Sequence, residues 1–236
     1  MERNLGRPRP YQLAREAAMQ NVRACLLILC GVVSSGACFA GSINGSGKVT
    51  TETRPVAGIS AVTLSGIGQV IIEQTGTDSL TITTDDNLLP HIKSEMSGNR
   101  LELGLKESFT NVNPTNDIIF KVTVKQLEEL EISGSGKAEA TKLNPERLSV
   151  GISGSGAVAM QGTAGDLNLE ISGSGAFDGE LLRSRNANVA ISGSGGAVLA
   201  ASDTLTASVS GSGAVEYIGN PKVTENVSGS GSVRKR

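Results

Sequence analysis

The chain has 236 residues, with 21 lysines and arginines against 23 aspartates and glutamates, so its formal net charge is only -2. A balance this even gives no reason to expect nucleic acid or an acidic membrane surface as a partner. Tryptophan is absent, and there are only 2 tyrosines and 4 phenylalanines. The sequence therefore lacks the aromatic platforms of deep sugar-binding clefts. No motif in it indicates a cofactor.

The first forty residues differ from the rest and are typical of an export signal. Basic residues precede an apolar run from Cys25 to Val33, and small residues follow through Ala40. The run is too short to span a membrane, and cleavage is predicted after Ala40. The basic stretch is unusually long, and translation from Met19 would leave a compact signal. We expect residues 1–40 to be a signal segment and residues 41–236 to form one exported domain.

Cys38 offers a second outcome of export. The run SGAC from Ser35 to Cys38 partly resembles a lipoprotein processing site, with serine where leucine is usual, and its use would attach a lipid to Cys38. Release and lipid anchoring both stay open, and only anchoring would bring the protein to a membrane. All three cysteines, Cys25, Cys30 and Cys38, lie in this segment, so the exported domain has no thiol for a disulfide framework or a thiolate metal site.

The region up to about residue 130 alternates apolar and polar residues in short stretches. The segments INGSG at Ile43–Gly47 and LSGIG at Leu64–Gly68 are variants of an ISGSG pentapeptide that repeats in the second half of the chain. They predict that this region forms degenerate coils of the same solenoid. Two interruptions are expected. Asp85 to Met96, with a proline inside it, predicts a short helix or loop bulging from the stack, and Asn111 to Asp117 predicts a turn.

Six copies of one pentapeptide occupy the second half of the chain. Four read ISGSG and two read VSGSG, with start-to-start spacings of 20, 19, 20, 18 and 18 residues. A period near twenty means that each unit is one supersecondary element that buries its apolar face only by stacking on its neighbours. The copies begin at Ile132, Ile152, Ile171, Ile191, Val209 and Val227.

Apolar or very small residues recur at every second position around each pentapeptide, which is the period of a β-strand. In one copy this face is Leu148, Val150, Ile152, Gly154 and Gly156, and it is predicted to point into the core. The serines fall on the opposite face, so stacking in register predicts two outward ladders with rungs about 4.8 Å apart. The resulting candidate interaction strip comprises Ser133, Ser135, Ser153, Ser155, Ser172, Ser174, Ser192, Ser194, Ser210, Ser212, Ser228 and Ser230.

The sequence therefore predicts an all-β fold, a parallel β-helix-like solenoid with roughly 18–20 residues per coil. An extended coil of that length wraps once around a slim core. A leucine-rich repeat would need a regular leucine and asparagine pattern, and helical repeats would need a 3.6-residue period. A calcium-binding β-roll would need aspartate in the recurring unit, which has none.

Candidate catalytic groups are few. His91 is the only histidine, so any Ser-His-Asp arrangement would depend on one imidazole in an interruption of the repeat. Paired carboxylates are the stronger alternative, because β-helices host polysaccharide-processing enzymes that use them. The candidates are Asp85 with Asp86, and Glu128 with Glu129 and Glu131. Turn formation and solvent-facing strand positions explain both groups, so we favour structural roles.

The segments GSGKVTTETRPV (Gly45 to Val56), GISAVTLSGIGQVIIEQ and LTITTDDNLLPHIKSE, followed by the ISGSG array, resemble the head GIN domain family of putative auto-transporter adhesins. The resemblance implies a bacterial exported protein with a right-handed β-helix-like fold. The family name suggests adhesion and brings no catalytic residues. Lys222 to Arg236 contains no ten-residue amphipathic strands of a membrane barrel, so self-transport is not expected.

These observations predict a non-enzymatic secreted or cell-envelope protein whose regular surface contacts protein, glycan or further copies of itself; its specific partner is unknown. A polysaccharide-processing enzyme and a purely structural spacer remain alternatives. The basic end Arg234 to Arg236 is interpreted as a solvated tail that discourages another molecule from stacking on the last coil.

Overall fold

The computed structural model describes residues 42–106 and 111–236. The predicted signal segment, the cleavage site after Ala40 and the possible lipid site at Cys38 lie outside these residues. Within the described part nearly every segment is a β-strand, and the exception is a 3₁₀ turn at Leu89–His91. Among the described residues, no helix has the length and apolar character needed to cross a membrane.

Nine strands precede the regular repeats: β1 Ser42–Asn44, β2 Val49–Arg54, β3 Ala61–Gly66, β4 Gln69–Gln74, β5 Ser79–Asp85, β6 Ile92–Ser97, β7 Arg100–Leu105, β8 Asn111–Asn113 and β9 Ile119–Val124. Nine more follow: β10 Glu129–Gly134, β11 Lys137–Leu143, β12 Arg147–Gly154, β13 Ala157–Gly173, β14 Ala176–Gly193, β15 Gly196–Gly211, β16 Ala214–Ile218, β17 Lys222–Gly229 and β18 Ser232–Lys235.

The strands form two ladders of parallel pairs, which confirms the predicted β-solenoid. The first ladder runs β7, β3, β10, β12, β13, β14, β15 and β17. The second runs β9, β4, β11, β13, β14, β15, β16 and β18. The long strands β13, β14 and β15 contribute one part to each ladder, so the backbone stays extended as it passes from one face to the next.

The apolar positions of each coil lie above one another in a continuous core. One inner column of the first ladder is Leu101, Val62, Leu130, Val150, Leu169, Val189 and Ala207, all of them buried. Burying a side chain of valine or leucine size stabilises the fold by about 1.5–3 kcal/mol, so the stack is held mainly by contacts between neighbouring rungs. The inward face predicted from the period of two is confirmed.

Both glycines of each pentapeptide are required at the corner between the ladders, but for different reasons. The first glycine has φ between +106° and +120° in all six copies, a conformation that L side chains rarely adopt. At Gly154 an added Cβ would lie 2.7 Å from the carbonyl oxygen of Gly134 in the adjacent rung. At Gly156 it would lie 2.7 Å from Cγ2 of Ile132. The second glycine thus leaves room for the isoleucine of the adjacent coil.

The N-terminal half contributes coils to the same solenoid, but these coils do not stack in chain order. The coil made by β3 and β4 lies between the later coil β7/β9 and the still later β10/β11. Strands β2, β5 and β6 pair antiparallel and form a cap. The INGSG segment contributes β1, which pairs with the short β8. Turns as short as the one joining β6 to β7 can connect antiparallel strands but not parallel ones.

The two predicted interruptions are also more regular than expected. Asp85 to Met96 contains the 3₁₀ turn and most of β6, because Ile92 can bury its side chain when this strand pairs with β7. The segment Asn111 to Asp117 begins with β8 before the expected turn.

Candidate functional site

The twelve predicted serines lie on the outside of the solenoid, and we call them the serine strip. The first serine of each copy belongs to the first ladder and is aligned with its counterpart in the next coil, as in Ser133 with Ser153 and Ser153 with Ser172. The second serine lies at the corner, where its backbone N–H donates to the adjacent coil; Ser155 N–H, for example, donates to the Gly134 oxygen at 2.9 Å. All twelve side chains are exposed.

Among the described residues, the side-chain hydroxyls of the serine strip take part in no hydrogen bond and face solvent. Each hydroxyl can donate one hydrogen bond and accept two. Repetition at about 4.8 Å makes the strip a periodic set of donors and acceptors. Its geometry suits many weak polar contacts with an extended ligand rather than one deep site.

The serine strip begins one coil earlier than the sequence analysis placed it. Ser65 of the variant LSGIG pairs in register with Ser133 and is exposed. The second position of that copy is Ile67, which is 36% exposed. The sequence signal was present, because Leu64 to Gly68 fits the same template.

Next to the serine strip, polar side chains of neighbouring coils form hydrogen bonds with one another. Asn188 Nδ2 donates to Asn168 Oδ1 at 3.0 Å, and Asn186 Nδ2 donates to Asp166 Oδ1 at 2.9 Å. Thr204 Oγ1 also donates to Asn186 Oδ1 at 2.7 Å. These contacts fix the amides, so the first ladder presents a rigid hydroxyl and amide surface.

The same face has two shallow depressions. One, of about 360 Å³, lies where Gly151 is aligned between Glu131 and Glu170. The other, of about 230 Å³, lies over Ala190 and Ile191. Neither is lined by an aromatic ring, which agrees with the lack of aromatic residues in the sequence.

Asp85 is fully buried and ties the end of β5 to two distant loops. Its carboxylate accepts hydrogen bonds from the backbone N–H groups of Gly47, Thr115 and Asn116 at 2.9–3.1 Å and from Asn116 Nδ2 at 2.8 Å. Burial acts to raise the pKa of this carboxyl, but the hydrogen bonds from Asn116, Thr115 and Gly47 outweigh it, so the pKa lies below its usual value. Gly45 is needed beside it, because a Cβ there would lie 2.1 Å from Asp85 Oδ2.

Asp86 is also a structural residue. Ser46 Oγ donates to Asp86 Oδ1 at 2.6 Å, and Lys48 Nζ lies 3.3 Å from Asp86 Oδ2. The hydrogen bond from Ser46 is the main cause that lowers the pKa of this carboxyl. Asp85 and Asp86 are thus both ionised at neutral pH, which does not suit a general acid of a glycosidase, whose pKa must be raised.

The glutamates of β10 are held in ion pairs. Arg100 contacts Glu129 at 2.6 Å and Glu131 at 3.6 Å, and the hydrogen bond with Glu129 is the main cause that raises the pKa of the arginine. Glu128 lies just before the strand, where its backbone N–H donates to Ser60 O at 2.8 Å. These glutamates lie near the outer face of the first ladder, whereas the aspartate pair lies in the cap.

His91 ends the 3₁₀ turn of the cap, where its backbone N–H donates to Leu88 O at 2.9 Å. It lies in a different part of the fold from the serine strip. Within residues 42–106 and 111–236, no group of three or more histidine, cysteine, aspartate or glutamate side chains could hold a metal ion.

Two parallel ladders, glycine corners and an outward serine array together define a β-solenoid of repeated short coils. The chain belongs to the family described as putative auto-transporter adhesin, head GIN domain, which matches residues 58–221. The comparison with curated proteins found no match.

Several solved structures share this fold. A putative adhesin from Bacteroides fragilis is 22% identical, with a TM-score of 0.68, and the match covers 83% of this chain and 100% of that one. A putative lipid binding protein from Parabacteroides distasonis is 23% identical, with a TM-score of 0.53 and coverage of 83% and 100%. A putative adhesin from Parabacteroides merdae is 22% identical, with a TM-score of 0.52 and coverage of 84% and 100%.

Proposed function

We propose that this protein is an exported, non-enzymatic, adhesin-like binding protein of the periplasm, cell envelope or extracellular space. Membership of an adhesin family supports an exported or surface role. The observation that carries the proposal is the serine strip, in which exposed hydroxyls repeat in register along successive coils. The hydrogen bonds that lower the pKa of Asp85 and Asp86 favour binding over hydrolysis.

The serine strip acts by adding many weak contacts. An exposed hydrogen bond contributes little by itself, because water competes for the same groups. A ligand that bridges several coils pays the entropy of association once and gains each further contact at a high effective concentration. Glycan strands and extended proteins of the envelope have the repeated polar groups that such a surface can engage.

The test measures binding of the exported domain to cell-wall glycans and envelope extracts. A variant with Ser133, Ser153, Ser172 and Ser192 changed to alanine removes four adjacent rungs of hydroxyls. Its matched control changes the exposed Gln161 and Ser202 to alanine. We expect the first variant to lose binding and the control to keep it. Equal binding by all three proteins would refute a role for the serine strip, and no retained partner at high protein concentration would refute the binding function.

The alternatives predict different results. A polysaccharide-processing enzyme would release products from a polysaccharide panel and lose that activity when Asp86 is changed to asparagine or Glu129 to glutamine. A spacer would keep the same partner affinity when whole coils are deleted. Mass spectrometry of the mature N-terminus distinguishes cleavage after Ala40 from a lipid on Cys38.

A further inference from the structure

The outer face of the second ladder differs in chemistry from the serine strip. It contains a groove of about 610 Å³. The floor of the groove consists mainly of alanine and glycine residues, which several successive coils contribute. The small residues are Ala157, Ala159, Ala176, Gly196 and Ala214.

Carboxylates line this groove at every second coil. In the column that follows the corner, Glu139 is aligned with Ala159, which is aligned with Asp178. The same column continues through Val198 to Glu216. Two rungs span about 9.6 Å, so three acidic positions separated by apolar ones repeat at about that distance along the groove.

The chain's own arginines already show which charge the groove accepts. Arg234 lies 3.1 Å from Glu216, and Arg236 lies 2.9 Å from Glu180 on the groove wall. These basic side chains are exposed, and each is also paired with a carboxylate of the body. Glu139 and Asp178 form no ion pair with any of the described residues. Glu139 accepts a hydrogen bond from Gln69, and Asp178 accepts one from the backbone N–H of Glu180. Lys137 lies at one end of the groove.

We propose that the groove binds an extended, cationic segment of a partner protein in the polyproline II conformation, with a basic residue at every third position. Polyproline II rises about 3.1 Å per residue, so basic residues three apart are about 9.3 Å apart. The mismatch with the acidic column is about 0.3 Å per interval. The small floor lets the backbone of the segment approach the sheet closely, and the carboxylates receive its cations.

Other regular conformations fit this spacing less well. In a β-strand, side chains on one face are about 6.6 Å or 13 Å apart. On an α-helix, residues seven apart lie on one face at about 10.5 Å, which accumulates an error of about 2 Å over the two intervals. The groove is separate from the serine strip, so this proposal stands or falls independently of that surface.

The test uses a fluorescent peptide of repeated Lys-Pro-Pro triplets and a control peptide of the same composition with all its lysines at one end. Fluorescence anisotropy at low salt should show tighter binding of the triplet peptide. Asp178→Asn should weaken binding about two- to fivefold, as expected for one exposed ion pair. Glu170→Gln, which neutralises an exposed carboxylate on the other ladder, should change it much less. Both replacements are on the surface and should leave the fold intact.

A second pair of variants tests whether Glu216 takes part. Arg234→Ala frees that carboxylate and should tighten binding of the triplet peptide more than Lys222→Ala, which removes the same charge away from the groove. Equal affinity for both peptides, or equal effects within each pair of variants, would overturn the proposal. So would a dimer in sedimentation that dissociates on Asp178→Asn and binds no peptide, since the groove would then be a contact between copies.

Discussion

The corner glycines allow a sharp test of how the solenoid is held together. Gly173→Ala places a Cβ 2.6 Å from the carbonyl oxygen of Gly154, at a residue whose φ is +113°. The strained backbone conformation costs about 1–3 kcal/mol, and relieving a clash with backbone costs about 1–3 kcal/mol more. We therefore expect the free energy of unfolding to fall by about 2–6 kcal/mol. For a domain of this size, at about 2–4 °C per kcal/mol, that is a decrease of roughly 4–24 °C in the melting temperature.

Gly151→Ala is the matched control on the same ladder. Its added Cβ would make only an ordinary contact, 3.6 Å from Cγ of Glu131, and its φ is outside the left-handed region. Replacing glycine at such a site stabilises a protein by about 0.4–1 kcal/mol, because the unfolded chain loses freedom. Thermal unfolding followed by circular dichroism measures both variants. If the two variants melted at the same temperature, close approach between rungs would not be what requires the glycines.

Three further predictions concern other parts of the fold. Ser172→Val changes an outward side chain on a strand and should shift the unfolding free energy by at most about 0.5 kcal/mol; a loss comparable to Gly173→Ala in the same melting experiment would mean that the faces are inverted. Asp85→Asn should loosen the cap at neutral pH. The folded pKa of Asp85 lies below its ordinary value of 3.8, so the stability that the carboxylate contributes is present above that pH and is lost as the pH falls further. Hydrogen exchange in the cap should therefore become equal in the wild type and the variant in acid. A difference that stays constant with pH would contradict this. Glu225→Val should increase self-association in sedimentation. Glu225 continues the buried column after Ala207 at the outermost described coil, and a charge in such a column at an edge discourages stacking; an unchanged sedimentation coefficient would show that the carboxylate has no such effect.

The regular half of the fold could be predicted because its information is local. The period of about twenty and the alternation around Ile152 determine both the stacking and the outward direction of Ser153, and register follows from aligning identical pentapeptides. The first glycine of each copy was placed on the inner face, whereas its missing Cβ points at the adjacent rung. Alternation alone cannot reveal this, since it does not report φ.

The rest depended on contacts between segments far apart in sequence. Asp85 looked like a turn residue or a catalytic acid, and only folding brings Gly47 and Thr115 to its carboxylate. The acidic column of the groove, in contrast, is local. Glu139, Asp178 and Glu216 each stand seven positions after the first residue of their pentapeptide, and the register shift in the pairing of β13 with β14 comes only after Asp178. Counting from the repeat aligns these carboxylates, but only the fold shows that they line one groove.

The position of β3 and β4 constrains how the chain reaches its native state. One side of that coil is covered by β7 and β9 and the other by β10 and β11, all of which are later in the sequence. Synthesis or export from the N-terminus therefore delivers this coil before either of its neighbours exists. The edge that pairs with β7 and β9 stays open until Val124 has emerged, and the edge that pairs with β10 and β11 stays open until Leu143 has emerged. A chain interrupted earlier would expose an open edge to any other extended polypeptide nearby.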